Sequence, residues 1–296
     1  MHKIEICNCS KKNHHFVQQA LQKKFLEDGK IHILNRETKI IEYDKNLEDI
    51  RENFQKKHLY PKIKLKELEK ISILKELEGI NQIFTKKDKC IECNFGECLE
   101  NKFSNVINKI ENKYNEKNNS SKIHKNLNNE DLKIIKQYFY FQYGRTPTAI
   151  EDFKSKIKDW EIPGKLHREI IKFKKGKYSW LILLVSNEGE SILLNLFEKL
   201  NLKIIINQTD VSFILGGEGL FWTGKVNNKK SFKDSQIFLP IHPKILLLFE
   251  EGDSETKINQ DKEDIHEINK YNLKNSESNC FISGDKKYLE KLKEEI

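Results

Sequence analysis

Apolar side chains recur every three or four residues along much of the first 200 residues. In the segment 64–84, for example, Leu65, Leu68, Ile71 and Leu74 follow one another at such a spacing. This spacing places apolar residues on one face of a helix. The pattern predicts helices over 14–27, 46–57, 64–84, 103–114, 131–143, 148–171 and 188–200.

The pattern changes after residue 202. Short apolar or β-branched runs, separated by Gly, Asn and Pro, favour strands over helices there. Two further short strands, at 30–34 and 39–43, are predicted to form a hairpin. The predicted strands of the C-terminal third are 203–207, 211–215, 220–223, 236–239, 244–249 and 280–283, and a helix over 285–295 follows them.

These elements predict an α+β fold with a mainly helical body, a small antiparallel β layer in the C-terminal third and a short N-terminal hairpin. We expect a single domain over 1–296, helical in 1–200 and β-rich in 201–296. Asn, Lys and Ser dominate 115–129, which is predicted to be an exposed linker. The charged segment 252–278 is predicted to be a polar loop around one short helix.

The chain carries 53 Lys and Arg against 45 Asp and Glu, which gives a net charge of +8. Such a balance suggests nucleic acid as a partner. However, the lysine excess accompanies abundant Asn and Ile, which all have A/T-rich codons, so a solvated surface explains the charge equally. The clearest basic patch consists of Lys172, Lys174, Lys175 and Lys177. It is a candidate nucleic-acid-binding site, with an exposed turn as the alternative.

The sequence also indicates a cellular location. Its longest apolar runs, 180–185 and 245–249, fall far short of the ~20 residues that a membrane span needs. The N-terminal segment has no apolar region typical of a signal peptide. Together with cysteines that show no disulfide framework, these features predict a cytoplasmic protein without a membrane partner.

The stretch 138–148, YFYFQYGRTPT, holds five aromatic residues and one of only four arginines. Gln142 and Arg145 lie three residues apart, so they share one face of a helix. We therefore expect a buried central helix that presents two planar hydrogen-bonding side chains at its C-terminal end.

Three patches resemble a bacterial family, the domain of unknown function numbered 4238. The family pattern His-His-Tyr-Val-Pro-Gln is similar to HHFVQQ at 14–19, and its Gln-x-x-Arg-Thr-Pro motif is matched at 142–147. Its late motif, Phe-Ile-Thr-Ser-Asp-x-Pro, aligns with FILGGEG at 213–219. The following Pro-Leu-x-Pro strand resembles PIHP at 240–243. The resemblance supports a layout for nearly the whole chain and implies no settled activity.

Two of these motifs depart from the family pattern. Gln18 stands where the family has its first proline, and Gly216 and Gly217 stand where it has Ser-Asp. Glu218 is the nearest residue that could supply a shifted carboxylate.

The candidate catalytic residues are His14, His15, Gln142, Arg145 and Glu218. Imidazole exchanges protons near neutral pH, and guanidinium binds phosphate. With a carboxylate they suit phosphodiester cleavage, so the sequence predicts a hydrolase, a nuclease that acts on RNA or DNA with RNA favoured, such as a toxin or phage-defence effector. The alternative is a non-catalytic nucleic-acid- or protein-binding module, in which the same residues brace the fold through buried hydrogen bonds.

The cysteines form a second candidate site. Cys90, Cys93 and Cys98 are spaced like the start of a metal site, for which zinc or another divalent metal is the cofactor to expect. Zinc needs four ligands, so Cys7, Cys9 or a histidine would have to complete the set. Cysteines without a metal are the alternative.

Overall fold

The computed structural model describes residues 13–15, 19–48, 55–57, 64–69, 82, 84–116, 120–144, 184–187, 200–223, 225–226, 229–230, 236–276 and 278–296. The chain divides into two compact units. Unit one comprises Met1–His14, Lys56–Phe103 and Lys136–Asn195, and unit two comprises His15–Gln55, Ser104–Ile135 and Leu196–Ile296.

The described elements are numbered in chain order. The strands are β1 (Asn13–His15), β2 (Ile31–Asn35), β3 (Ile40–Lys45), β4 (Gln55–Lys57), β5 (Asn201–Asn207), β6 (Leu215–Gly216), β7 (Phe221–Thr223), β8 (Lys225–Val226), β9 (Lys229–Lys230), β10 (Gln236–His242), β11 (Ile245–Glu250), β12 (Glu255–Asn259) and β13 (Cys280–Ser283). The helices include α1 (Gln19–Gln22), α2 (Leu65–Glu69), α3 (Ile91–Asn94), α4 (Asn101–Asn115), α5 (Asn129–Gly144), α6 (Lys262–Asn275) and α7 (Lys286–Glu294). A π-helical segment, Phe95–Glu100, joins α3 to α4.

The prediction of a mainly helical body is wrong. The structure is about 46% helical and 28% strand, with sheets of four and five strands. Strands replace predicted helix at β1 and β4, and β12 lies in the segment predicted to be a polar loop. The sequence of β12, ETKIN, alternates exposed charged residues with half-buried ones. A half-exposed strand of this kind has too few apolar residues to be distinguished from a loop.

The five-stranded sheet of unit two has the order β12-β5-β11-β10-β7. Its central strands β5 and β11 are nearly continuous apolar runs, because they are buried on both faces. All neighbours are antiparallel except β12, which pairs parallel to β5. The predicted antiparallel layer is therefore wrong for this pair. On the other side of the sheet, β10 has a register shift between Pro240 and His242.

The predicted hairpin is confirmed as β2 and β3, but it is part of a larger sheet. Strand β13 pairs antiparallel with β2 on one side and with β6 on the other, giving the order β3-β2-β13-β6. Helix α7 packs Leu289 and Leu292 onto this sheet, against Leu34 and Phe281. Its first turn is capped by Asp285, whose carboxylate accepts from the Tyr288 backbone N–H at 3.0 Å.

Arg36, in the turn of this hairpin, stabilises the end of α6. Its guanidinium donates to the backbone carbonyls of Leu273 and Ser276 and to the side chain of Asn279. These carbonyls belong to the last turn of α6 or follow it, where the helix leaves acceptors without intrahelical partners and favours a cation.

The segment 211–214 is not a strand, although a strand was predicted over 211–215. Two asparagines of α6 bind its backbone. Asn269 accepts from the Ile214 N–H at 3.1 Å and donates to the Ser212 carbonyl at 2.8 Å. Asn272 donates to the Ile214 carbonyl at 3.0 Å. Side chains thus satisfy the buried backbone groups that a neighbouring strand would otherwise pair.

Residues 120–126, in the predicted linker, form a short helical turn. Ile123 is buried there, and the His124 backbone N–H donates to the Thr256 hydroxyl of β12 at 2.9 Å. The turn therefore lies beside the edge strand of the five-stranded sheet.

The central helix predicted over 131–143 is confirmed as α5, and its aromatic residues, which lie in unit one, are buried. Phe141 packs edge-to-face on Phe84 and Phe95, with ring centroids 5.2 and 5.3 Å apart. Tyr138 stacks on Phe103 at 3.6 Å. Among the helices that the structure describes, none combines the length and the apolar composition needed to cross a bilayer.

Candidate functional site

Unit two contains an open cleft of about 740 Å³. It is bordered by the hairpin β2–β3, the turn between β10 and β11, and the N-terminus of α7. Lysines, carboxylates and two histidines dominate its polar lining: Lys24, Lys30, Lys244, Lys286, Lys287, Glu27, Asp28, Asp44, Asp210, Asp285, His32 and His242.

His242 is held in one neutral tautomer at the end of β10. The Lys244 backbone N–H donates to its Nδ1 at 3.1 Å, so the proton of the neutral ring lies on Nε2. Burial, together with the positive charges of Lys24 and Lys244, lowers the pKa of His242 to about 4. At neutral pH this side chain is therefore an uncharged donor of one hydrogen bond.

His32, which lies in β2 and also lines the cleft, is fixed by a similar contact. Its Nδ1 accepts from the backbone N–H of Asp44 at 3.2 Å. Asp44 adopts a left-handed conformation, with φ of 52°, which allows this approach. Within the described residues, Nε2 of His32 makes no hydrogen bond, so it is available to a ligand in the cleft.

Lys244 contributes an ammonium group to the cleft that His32 and His242 also line. Its Nζ donates to the carbonyls of Thr209 and Val211 at 2.7 and 3.1 Å. An ammonium has three donors, so one is left for a ligand as far as the described residues show. Burial lowers the pKa of Lys244, while the charges of Asp210 and Asp285 act in the opposite direction.

Two of the carboxylates in the cleft already have structural partners. Asp210 forms an ion pair with Lys262 at 2.6 Å, and this hydrogen bond lowers the pKa of Asp210. Asp285 caps α7. With these two carboxylates engaged, the cleft still presents hydrogen-bond donors to a ligand. Such donors favour an anionic ligand.

The pKa of His242 predicts a pH dependence of stability. An unfolded histidine binds a proton near pH 6.5, whereas folded His242 binds one only near pH 4. Between these values the unfolded state holds more protons, so the free energy of unfolding falls as the pH falls through this window. Across this pH window, the free energy of unfolding of the His242→Gln variant should fall by about 2 kcal/mol less than that of the wild type, after allowance for solvent screening.

Urea unfolding of the wild type and of the His242→Gln variant, at intervals from neutral pH to pH 4, measures this difference. Other groups titrate equally in both proteins, so only the difference between the two curves counts. Parallel curves would contradict the assignment of a neutral, buried His242.

The structure places the residues predicted from sequence in both units. His14 and His15 lie in β1 and not at the start of a helix, and their side chains lie outside the described part. Gln142 is 1% exposed in unit one, and Glu218 is 4% exposed in unit two. Arg145 lies outside the described residues. A shared catalytic role for these residues stays a prediction.

Glu218 lies in a tight turn between β6 and β7. The Gly219 N–H donates to the Gly216 carbonyl at 2.9 Å, and Gly219 has a φ of 78°. The turn does not form a hairpin, because β6 pairs with β13 whereas β7 pairs with β10. The predicted basic patch, Lys172, Lys174, Lys175 and Lys177, lies outside the described residues.

The three cysteines of the predicted metal site are buried in unit one. The sulfur atoms of Cys90 and Cys93 are 3.5 Å apart, whereas that of Cys98 contacts Thr85 and Asn94. Within the described residues, no three His, Cys, Asp or Glu side chains form a group that could hold a metal ion. Zinc at Cys90, Cys93 and Cys98 stays a prediction.

The sequence analysis missed His32, His242 and Lys244. The one available signal was the PIHP segment at 240–243, which was recognised as a family-like strand but not as a source of chemistry. His242 and Lys244 line the cleft because they lie at the turn between β10 and β11.

The sequence profile of a family described as a protein of unknown function (DUF4238) matches residues 13–286. The chain belongs to the DUF4238 family. This match confirms the resemblance inferred from the motifs. No curated protein and no solved structure gives a significant match. The DUF4238 match includes every described residue that lines the cleft apart from Lys287.

Proposed function

We propose that this DUF4238 protein is a hydrolase that cleaves phosphodiester bonds in nucleic acid, RNA in preference to DNA, and that the cleft of unit two binds a backbone phosphate. The observation that carries the proposal is the pairing of a neutral imidazole N–H with a partly buried ammonium group, at His242 and Lys244. Both donors are fixed by backbone contacts.

Fixed donors suit a phosphodiester because negative charge grows on the phosphoryl oxygens in the transition state. Donors that need no reorganisation stabilise this charge better than mobile ones. His242 can supply Nε2–H at neutral pH, and Lys244 can supply charge and its remaining N–H. His32 offers a second imidazole donor in the same cleft.

His242 is unsuited to the role of general base. Its Nδ1 lone pair accepts from the Lys244 backbone, and its Nε2 carries the proton. The acid or base role therefore falls to another group, for which His14 or His15 is the candidate from sequence, with Arg145 as phosphate clamp, Gln142 as an orienting group and Glu218 as a helper. Each is tested by its own substitution.

A non-catalytic nucleic-acid- or protein-binding module is the second candidate. The observation that favours it is the structural use of the carboxylates in the cleft. Asp210 is engaged by Lys262, and Asp285 caps a helix, so neither is poised to activate water. In this case the cleft would bind an anion and release it unchanged.

Labelled single-stranded RNA and DNA of one sequence test both candidates. Purified wild-type protein should shorten the RNA faster than the DNA, with and without added Mg²⁺ or Mn²⁺. We expect His242→Gln and Lys244→Met each to slow cleavage at least about tenfold, the loss of one stabilising hydrogen bond. Melting curves confirm that the variants fold.

The matched control is Lys257→Met, the same change at an exposed position of β12 outside the cleft. It should cleave like the wild type. Binding of the oligonucleotide without cleavage would reject the nuclease and support the binding module. Neither binding nor cleavage would reject both the nuclease and a nucleic-acid-binding module.

A further inference from the structure

Cys90 and Cys93 lie in contact at the start of a long helical segment in unit one. Cys90 immediately precedes α3, and Cys93 lies in its first turn. Their Sγ atoms are 3.5 Å apart, and the side chains are only 2% and 5% exposed. No bond joins the two sulfur atoms in the structure, in which both residues are thiols.

A buried asparagine fixes the backbone around this pair. The Asn94 side chain donates to the carbonyls of Lys86 and Cys90 at 3.0 and 3.1 Å. Its carbonyl oxygen accepts from the Lys86 backbone N–H at 3.0 Å. Because these bonds hold the loop against the helix, they keep the two sulfur atoms close to each other.

The third cysteine of this segment has a different environment. The Cys98 sulfur lies 3.4 Å from the Thr85 hydroxyl and 3.5 Å from the Asn94 side-chain oxygen. Cys280, at the start of β13 in unit two, is a described cysteine outside this segment. Proximity therefore singles out Cys90 and Cys93 among the described cysteines.

We propose that Cys90 and Cys93 are a peroxide-sensitive dithiol that forms an intramolecular disulfide. One thiolate attacks hydrogen peroxide, the O–O bond breaks, and a sulfenic acid and hydroxide form. The second thiolate attacks that sulfur, the S–S bond forms, and the S–O bond breaks with loss of a second hydroxide. The two thiol protons convert both hydroxides to water, so two thiols and one peroxide give one disulfide and two waters.

Burial selects the oxidant. A thiol–disulfide exchange partner the size of a protein cannot reach sulfur atoms that are almost fully covered. Hydrogen peroxide is small enough to reach them during local opening. Two sulfur atoms in contact also make an intramolecular disulfide the nearest oxidised product.

The full-length protein tests this proposal directly. Reduced protein is treated with a small excess of hydrogen peroxide, quenched with catalase, alkylated with iodoacetamide and digested with trypsin. Cleavage after Lys89 and Lys102 leaves all three cysteines of this segment in one peptide, CIECNFGECLENK. We expect that peptide to lose two hydrogens and to carry a single alkyl group, located at Cys98 by fragmentation.

Two variants separate the pair from its neighbour. Cys98→Ser should still lose two hydrogens and carry no alkyl group. Cys93→Ser should form no disulfide, and dimedone should trap a sulfenic acid at Cys90. Cys280 should remain fully alkylated, and incubation with dithiothreitol should restore both thiols in the wild type.

Three results would overturn the proposal. These are a disulfide that includes Cys98, full alkylation of all three cysteines after peroxide, and one bound zinc per chain that protects the thiols. The wild-type measurement decides the matter even if a cysteine variant fails to fold. The outcome of this measurement does not depend on the proposed nuclease activity, because the quantity measured is the mass of a peptide from unit one.

Discussion

Replacing Asn269 by Ala is expected to lower the free energy of unfolding by about 3–5 kcal/mol. This buried side chain makes three hydrogen bonds, to the Ile214 N–H, the Ser212 carbonyl and the Tyr288 hydroxyl, at 2.8–3.1 Å. Alanine would leave all three groups without this partner. For the two backbone groups, the asparagine takes the place of a neighbouring strand. Each buried polar group that loses its partner costs about 1–3 kcal/mol.

The same helix offers a graded series of identical substitutions. Asn272 makes one buried bond, to the Ile214 carbonyl, and Asn275 makes one exposed bond, to the Tyr271 carbonyl. Urea unfolding should therefore give losses in the order Asn269→Ala, Asn272→Ala, Asn275→Ala, with the last near zero. An Asn269→Ala protein as stable as Asn275→Ala would show that α6 does not hold the segment 211–214.

Replacing Phe141 by Ala is expected to cost about 3–5 kcal/mol through loss of burial and formation of a cavity. The ring packs edge-to-face on Phe84 and Phe95, and it also contacts Tyr140 at a centroid distance of 4.5 Å. Edge-to-face pairs add stabilisation beyond the apolar area that they bury. Phe141→Leu keeps most of the volume and should cost clearly less.

Hydrogen–deuterium exchange can locate this effect. In Phe141→Ala, peptides from α3 and α5 in unit one should lose protection, while peptides from β5 and β11 in unit two should keep theirs. Equal loss of protection in both sets would mean that the aromatic cluster stabilises more than its own unit. Wild-type protection in every peptide would contradict the cavity argument.

The sequence predicts elements well where one short stretch contains the whole signal. The helix predicted over 131–143 is α5, and that over 103–114 is α4. The apolar runs at β5, β10 and β11 are also strands, because a strand buried on both faces needs apolar residues at every position.

Prediction fails where the deciding partner is distant in the chain. A strand was predicted over 211–215, but the backbone of Ile214 is bound by asparagines of α6 instead of a neighbouring strand. Helix α6 in turn lies in the segment 252–278, which was predicted to be a polar loop around one short helix. A single sequence does not show that its buried asparagines face the backbone of another segment.

The sequence did not predict the candidate site, for a similar reason. The candidate catalytic residues came from the motifs at 14–19, 142–147 and 213–219, whereas His32 and His242 accept from the backbone N–H groups of Asp44 and Lys244. Their tautomers depend on backbone geometry, which composition does not encode. Only the family-like segment at 240–243 pointed to this part of the chain.

The position of β13 between β2 and β6 has a consequence for biosynthesis. Arg36 and Ser276, which meet beside this sheet, are 240 residues apart in the chain. At ribosomal rates the early hairpin waits roughly ten seconds to a minute for its neighbour. Until then β2 exposes an open edge, a surface on which other strands can add. We therefore expect the nascent chain to depend on chaperones until β13 has left the ribosome.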